Sequence, residues 1–150
     1  MAVALAVTLV SCGTDKGVAT TIRGRFVGSG VDTVYLERVS DNLTTPEAIG
    51  RVALADNGGF EFEFGIEEGT SPRFYRLAFE GGRRPVTLVV APGDNIKLES
   101  AGDIFLNYEV EGSEESALIK EFNRDYFTAV DRVARIAEGI DSGEGMHRRA

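Results

Sequence analysis

The 150-residue sequence predicts a mainly β protein, an antiparallel β-sandwich followed by one C-terminal amphipathic α-helix. Between residues 21 and 111, apolar residues alternate with polar ones, which is the period of a strand with one buried face. Short clusters rich in Gly, Asn, Asp and Pro separate these segments, as turns do. About eight such segments at regular spacing are typical of a sandwich. After residue 112 the apolar residues recur at helical spacing instead.

Two of the predicted strands are the most informative. In residues 60–64 three phenylalanines alternate with two glutamates, so one face should be buried and the other exposed. Residues 86–90 are apolar on both faces, which predicts a central strand. The other predicted strands lie around residues 21–26, 33–37, 49–54, 74–79, 96–98 and 105–110. No helical pattern interrupts them, which argues against a parallel sheet of βαβ units.

Residues 112–140 are predicted to form the helix. Ser113 can cap its first turn, where the acidic residues that follow suit the positive end of the helix dipole. We expect Gly139 or Gly143 to end the helix, and residues 141–150 to be disordered. The apolar face exceeds what a small sandwich readily covers. It therefore either docks on the sandwich, or in part binds another domain or a second copy of the chain. Its main residues are Leu118, Phe122, Tyr126, Val130, Val133, Ile136 and Ile140.

The composition excludes several classes of function. With 16 basic and 24 acidic residues, the net charge of −8 argues against a nucleic-acid partner. The sequence has one cysteine and one histidine, so it offers neither an internal disulfide nor a thiolate metal cluster. A zinc site built on histidines, or a Ser-His-Asp triad, has almost no residues to use. We therefore predict no catalytic site, no metal and no cofactor.

The N-terminal residues have the pattern of an export signal. Residues 2–10 form an uncharged apolar run, shorter than the roughly 20 residues of a membrane-spanning helix but typical of a signal peptide. Leu9 lies three residues before Cys12, with small residues beside the cysteine, which resembles the lipobox of bacterial lipoproteins. No Lys or Arg precedes the run, although signal peptides open with positive charge. The alternative is a buried first strand with a chance cysteine.

The lipobox resemblance implies that residues 1–12 are a signal peptide and lipobox, and that Cys12 is lipidated. Acyl chains on this cysteine would hold the chain to a membrane, because each buried methylene contributes about 0.8 kcal/mol. Residues 13–20 would form a polar tether before a sandwich of residues 21–111. Gly13 follows the cysteine, and by lipoprotein sorting rules this favours the outer membrane, facing the periplasm or the cell surface.

Two further motifs point to a family. A Pro-Gly-Asp turn follows an apolar strand at residues 92–94, and Val-Glu-Gly-Ser opens the helix at residues 110–113. With the lipobox before them, their order over residues 20–125 resembles the N-terminal DUF4369-type domain of envelope lipoproteins. That domain usually precedes a TlpA-like thioredoxin domain, a thiol–disulfide oxidoreductase carrying a Cys-x-x-Cys motif.

The resemblance implies a non-enzymatic accessory domain that positions or dimerises a thioredoxin-like redox partner. The sequence has no Cys-x-x-Cys, so the oxidoreductase activity does not transfer to it. Two interpretations stay open: a piece of a longer redox lipoprotein, or a free-standing module. In either case the helix would contact the partner or mediate self-association.

A different class of function is an envelope module that binds a glycan or peptide. Its candidate residues are Tyr35, Tyr75 and Tyr108, provided that they share an exposed, concave surface. Arg83 and Arg84 follow two glycines and are candidates for anion binding, although a solvated turn explains them more simply. An enzyme would need a cleft with converging polar groups.

Overall fold

The computed structural model describes residues 17–42, 45–105 and 107–147. These residues form a β-sandwich of two four-stranded sheets followed by a single helix, which confirms the predicted fold class. Cys12 and the predicted signal peptide lie outside the described residues. The elements are β1 (Val18–Val27), β2 (Thr33–Arg38), β3 (Glu47–Ala53), β4 (Gly59–Ile66), β5 (Arg73–Ala78), β6 (Val86–Val90), β7 (Asn95–Ala101), β8 (Tyr108–Glu111) and α1 (Glu114–His147).

The two sheets have the strand orders β4-β1-β7-β8 and β3-β2-β5-β6. Six strand pairs join neighbours in these sheets, and five of them are antiparallel. The exception is β1 with β7, which run parallel from the pair Thr21–Asn95 to the pair Val27–Ala101. The prediction of a wholly antiparallel sandwich is therefore wrong for this pair. A long connection through the second sheet separates these two strands, and a parallel pair requires such a crossover.

The core lies between the two sheets and follows the predicted alternation. Ile22 and Phe26 point inward from β1, and Phe60 and Phe62 point inward from β4. The rings of Phe26 and Phe60 have centroids 4.8 Å apart, and Phe26 also meets Phe79 from the second sheet at 5.9 Å. Burying each such side chain contributes about 1.5–3 kcal/mol, so the core holds the sheets together.

Gly24 lets β1 pass close to its neighbours. A Cβ at this position would lie 2.4 Å from the carbonyl oxygen of Leu98 in β7 and 2.9 Å from the Phe60 ring in β4. Both contacts are far inside van der Waals distance, and the first is to backbone, which cannot move aside easily. The central strand of the first sheet therefore requires glycine here.

The predicted domain boundaries need two corrections. β1 begins at Val18 rather than Thr21, because Val18 already pairs with Ile66 of β4; the tether of residues 13–20 is thus too long at its end. α1 continues to His147, so the prediction of disorder is wrong for residues 141–147. Gly139 does not end the helix because it does not adopt the left-handed backbone that a terminating glycine needs.

β6 is not the central strand that its composition predicted. It lies at the edge of the second sheet, next to β5 only. Val86, Leu88 and Val90 face the core, whereas Thr87 and Val89 on the other face are half-buried. The second apolar face is explained by α1, which packs against this strand.

Candidate functional site

The start of α1 is fixed to the free edge of β6 by two serines. The backbone N–H of Val89 donates to Ser116 Oγ at 2.9 Å, and Ser113 Oγ donates to the Val89 carbonyl at 2.9 Å. Ser113 Oγ also accepts from the backbone N–H of Ser116 at 3.1 Å, which makes Ser113 the predicted N-cap. The two hydroxyls are 2.8 Å apart and buried. The two serine side chains thereby bond the N–H and the carbonyl of Val89, which an edge strand would otherwise leave without a partner.

Gly112 makes this arrangement possible. Its φ of +88° is in the left-handed region, and a Cβ would lie 2.1 Å from the carbonyl oxygen of Asn95. Only glycine can turn the chain from β8 into α1 at this distance from β7. The Val-Glu-Gly-Ser motif of residues 110–113 therefore has a structural role, which is to aim the helix.

Two cationic side chains hold the next turns of α1. Lys120 Nζ donates to Glu109 Oε2 at 3.1 Å and lies 5.6 Å from the ring centroid of Tyr108. The guanidinium of Arg84 lies 4.4 Å from the ring centroid of Phe127 and 4.9 Å from that of Phe105. Cation–π contacts of this kind contribute about 0.5–2 kcal/mol each. We call residues 113–127, which these contacts fix, the helix root.

Arg83 and Arg84 do not form a shared anion site. Arg83 donates to the carbonyls of Ser29 at 2.8 Å and Gly30 at 3.5 Å, which ties its loop to the β1–β2 turn. Arg84 is engaged with the two aromatic rings of the helix root. Each guanidinium thus has its own structural partners, and the two do not converge on one position.

The three candidate tyrosines are not brought together on an exposed surface. Tyr75 and Tyr108 are only 3% exposed, and burial raises the pKa of both, that of Tyr108 to about 12. Tyr35 is half-buried, and its hydroxyl donates to Glu80 Oε1 at 2.6 Å, which raises the pKa of Tyr35. The ring of Tyr75 packs on Phe64 with centroids 5.6 Å apart. The aromatic binding surface expected from the sequence is therefore absent for Tyr75 and Tyr108.

The outer face of the second sheet carries an ion pair between neighbouring strands. Glu37 on β2 lies opposite Arg76 on β5, and Arg76 Nε donates to Glu37 Oε2. Phe74 of β5 is 47% exposed on this face. One exposed aromatic ring beside a satisfied ion pair does not form a cavity with converging polar groups.

The largest exposed apolar feature among the described residues is on α1. Seven large apolar side chains, each 43–65% exposed, follow one another at three- and four-residue spacing. At about 100° per residue, the stripe points roughly a quarter-turn away from Ser116, Asn123 and Phe127, which face the sandwich. We call it the free stripe, and its members are Leu118, Phe122, Tyr126, Val130, Val133, Ile136 and Ile140.

The sequence predicted the free stripe but missed part of what positions it. Ser116, Lys120 and Arg84 hold the helix root, yet none carries a pattern that separates it from ordinary surface residues. A second serine three residues after the N-cap was the only available signal, and it also fits an unremarkable first helical turn.

No metal cluster accompanies the free stripe in the part of the chain that the structure describes. A depression of about 300 Å³ is lined by Thr128, Arg132, Arg135 and Ile136, all from α1 itself. The same residues contain no group of three or more His, Cys, Asp or Glu side chains that could hold a metal ion. Across residues 17–42, 45–105 and 107–147, no helix has the length and apolarity to cross a membrane.

Comparison with solved structures gives distant similarity. No family model and no curated protein matches the chain. The crystal structure of (S)-allantoin synthase is similar over 65% of this chain, with 12% identity and a TM-score of 0.45. The chain covers 44% of the length of that protein. The dioxygenase domain of a dioxygenase carbohydrate-binding protein fusion from Streptomyces sp. SirexAA-E is similar over 63% of this chain and 85% of its own, with 15% identity and a TM-score of 0.36. At these TM-scores the similarities carry no information about function.

Proposed function

We propose that this chain is a non-enzymatic, lipid-anchored accessory domain of the bacterial cell envelope, an outer-membrane lipoprotein facing the periplasm or the cell surface. Its role is to position or dimerise a thioredoxin-like redox partner. The observation that carries the proposal is the contrast within α1: one side of the helix root is fixed to the sandwich, while the free stripe is exposed on another side and continues past the root. A helix held in this way presents an apolar surface in a set direction.

The physical argument concerns exposed apolar area. Seven large apolar side chains in one continuous stripe exceed the scattered apolar residues of an ordinary monomer surface, and such patches mark interaction sites. The part of the sandwich that the structure describes adds no metal cluster, and its three candidate tyrosines do not form one exposed surface, so binding by α1 is the activity best supported. The anchor rests on the lipobox pattern that ends at Cys12.

The alternative class, a module for a glycan or peptide, loses its main support. It required Tyr35, Tyr75 and Tyr108 on one surface, and two of these side chains are buried. The outer face of the second sheet has one exposed phenylalanine, which is less than sugar stacking by several aromatic rings would require.

The anchor is tested by expressing the full chain in a Gram-negative host and separating its membranes. We expect the chain to fractionate with the outer membrane, and Cys12→Ser to release it to the soluble fraction. Ser11→Ala serves as the matched control, since it changes the neighbouring residue without removing the thiol. Equal membrane association of Cys12→Ser and the unchanged chain would contradict the lipid anchor.

The role is tested separately. We expect the DNA downstream of the coding sequence, or the same operon, to encode a thioredoxin-like domain with a Cys-x-x-Cys motif. That domain, purified, should bind the chain by titration calorimetry, and binding should weaken when Phe122 is changed to Glu. If the domain binds the Phe122→Glu variant as strongly as the unchanged chain, α1 is not the contact surface.

A further inference from the structure

We infer that the free stripe of α1 binds the free stripe of a second copy of this chain, with the two helices antiparallel. The inference rests on the proposed role of α1 as an interaction surface, and it specifies the occupant, the orientation and the register. Charge placement along one side of the stripe carries it.

The side in question is formed by the residues that directly precede each stripe residue in the sequence. Glu121 and Asp125 precede Phe122 and Tyr126 in the first half of the stripe, whereas Arg132 and Arg135 precede Val133 and Ile136 in the second half. Because each lies one position before a stripe residue, all four charged side chains flank the stripe on the same side. The flank is thus acidic toward the sandwich and basic toward the free end. The remaining stripe residues are preceded by Ala117, Ala129 and Gly139.

An antiparallel pair of helices brings this flank against the same flank of the partner in reverse order. Asp125 then lies opposite Arg132 of the second copy, and Glu121 lies opposite Arg135 of the second copy. In a parallel pair, this flank would instead lie against the opposite flank of the partner's stripe. On that opposite flank, Asn123 and Phe127 face the sandwich of the copy to which they belong. Only the antiparallel arrangement therefore pairs acid with base.

The same register aligns the apolar residues. With the crossing point next to Ala129, Leu118 meets Ile140 of the partner, and Phe122 meets Ile136 of the partner. Ala129 at the centre is small, which allows the two helix axes to approach closely. The charge pattern and the apolar pattern are independent features of the sequence, and they give one register.

Intrahelical ion pairs leave the acidic side chains available. Arg124 lies 3.5 Å from Glu121 and 3.7 Å from Asp125, but these two side chains are still 62% and 75% exposed. Exposed pairs of this kind contribute little, so they do not compete strongly with pairs across a packed helix interface.

The exposed area is sufficient for a stable dimer. The exposed parts of the seven stripe side chains amount to roughly 800 Å² per copy, which is what each partner contributes to an interface of standard size. A membrane surface is a less suitable occupant, because residues 114–140 carry six acidic and four basic residues. Helices that lie on anionic membranes are basic instead.

The orientation is tested by cysteine cross-linking in the full chain with Cys12→Ser, which contains no other cysteine. We expect Ala129→Cys in this background to form a disulfide-linked dimer readily, because the two copies of residue 129 meet at the crossing point. Leu118→Cys is the matched control, since residue 118 lies on the stripe and antiparallel helices separate its two copies by roughly 33 Å. A parallel dimer would link both variants equally and would overturn the proposal.

The interface is tested by sedimentation equilibrium on the same background. Asp125→Arg should raise the dissociation constant of the dimer at least about tenfold, because it sets two arginines opposite each other. Adding Arg132→Asp should bring the constant back to within about threefold of the background chain, because the acid–base pair is rebuilt with its charges exchanged. Ile136→Glu should abolish the dimer, whereas Ala134→Glu, off the stripe, should leave it intact. As a control, circular dichroism should show that each variant is folded.

A background chain that stays monomeric up to about 1 mM would overturn the proposal, as would a double variant no better than Asp125→Arg alone. Neither result changes the membrane fractionation of the Cys12→Ser variant, and a thioredoxin-like domain that binds a monomeric chain through Phe122 would support the proposed function while overturning the dimer. Failure of self-association is therefore distinguishable from failure of the proposed function.

Discussion

Removing the Ser116 hydroxyl should detach the helix root from the edge of β6. In Ser116→Ala the Val89 N–H loses its acceptor, and an unsatisfied, partly buried donor costs about 1–3 kcal/mol. Ser113→Ala removes the N-cap, which costs about 1 kcal/mol, and leaves the Val89 carbonyl with one hydroxyl donor, Ser116 Oγ at 3.1 Å, in place of two. We therefore expect each variant to lose about 1–3 kcal/mol in free energy of unfolding.

The double variant shows whether the serines act as one unit. Both hydroxyls bond to Val89 and to each other, so the second substitution removes a contact that the first has already weakened. We expect the double variant to lose at least about 0.5 kcal/mol less than the sum of the single variants. Independent caps would instead give additive losses.

Urea denaturation followed by circular dichroism measures these losses. With a slope of about 2 kcal/mol per molar urea, a loss of 2 kcal/mol lowers the midpoint by about 1 M. Thr128→Ala is the matched control, because it deletes a hydroxyl from the same helix that bonds only locally, to the Arg124 carbonyl. It should change stability by less than about 0.5 kcal/mol. If Ser116→Ala loses no more than Thr128→Ala, the serines do not hold the helix to the sandwich.

Three other predictions concern the sandwich and its contact with α1. The pKa of Tyr108 is raised to about 12, so its contribution to stability is complete below pH 10 and is lost as pH rises from 10 to 12, by about 3 kcal/mol. Denaturation at pH 9 and pH 11.5 should show about 2 kcal/mol of this loss, and Tyr108→Phe should reduce it. Gly24→Ala should destabilise the fold by more than about 3 kcal/mol, because its Cβ would overlap the Leu98 carbonyl; a soluble variant with an unchanged melting temperature would contradict the geometry. Arg84→Ala and Phe127→Ala should show a coupling of about 0.5–2 kcal/mol in a double-mutant cycle, and additivity would refute the cation–π contact.

Periodicity predicted the faces of the strands well, because burial of one face is a local property of the sequence. Phe60 and Phe62 are buried while Glu61 between them is exposed, as alternation requires. The same alternation does not indicate which strands are neighbours in a sheet. The parallel pairing of β1 with β7 was therefore not predictable from either strand alone.

β6 shows why composition misled. A strand that is apolar on both faces is usually a central strand covered on both faces. β6 is instead an edge strand, and α1 packs against it. The cover depends on the Ser113 and Ser116 hydroxyls, which resemble ordinary residues of a helix start. A contact between distant segments leaves no periodic signal in either of them.

The predicted end of α1 was wrong for a related reason. Gly139 is a poor helix former, and it costs about 1 kcal/mol relative to alanine in a helix interior. It nevertheless continues the helix, since a terminating glycine must also turn into the left-handed conformation. The free stripe was predicted by spacing, but only the structure shows that the sandwich leaves it exposed.

The parallel pairing of β1 with β7 has a consequence for the order in which the chain folds. Every strand of the second sheet ends at or before Val90, so that sheet can assemble before β7 has been synthesised. The pairing of β1 with β7 must wait for residues 95–101, whereas β1 can pair with β4 once Ile66 has been synthesised. Contacts between such distant residues form slowly. We therefore expect the β1 amides that bond to β7 to be protected from hydrogen exchange later during refolding than the β1 amides that bond to β4.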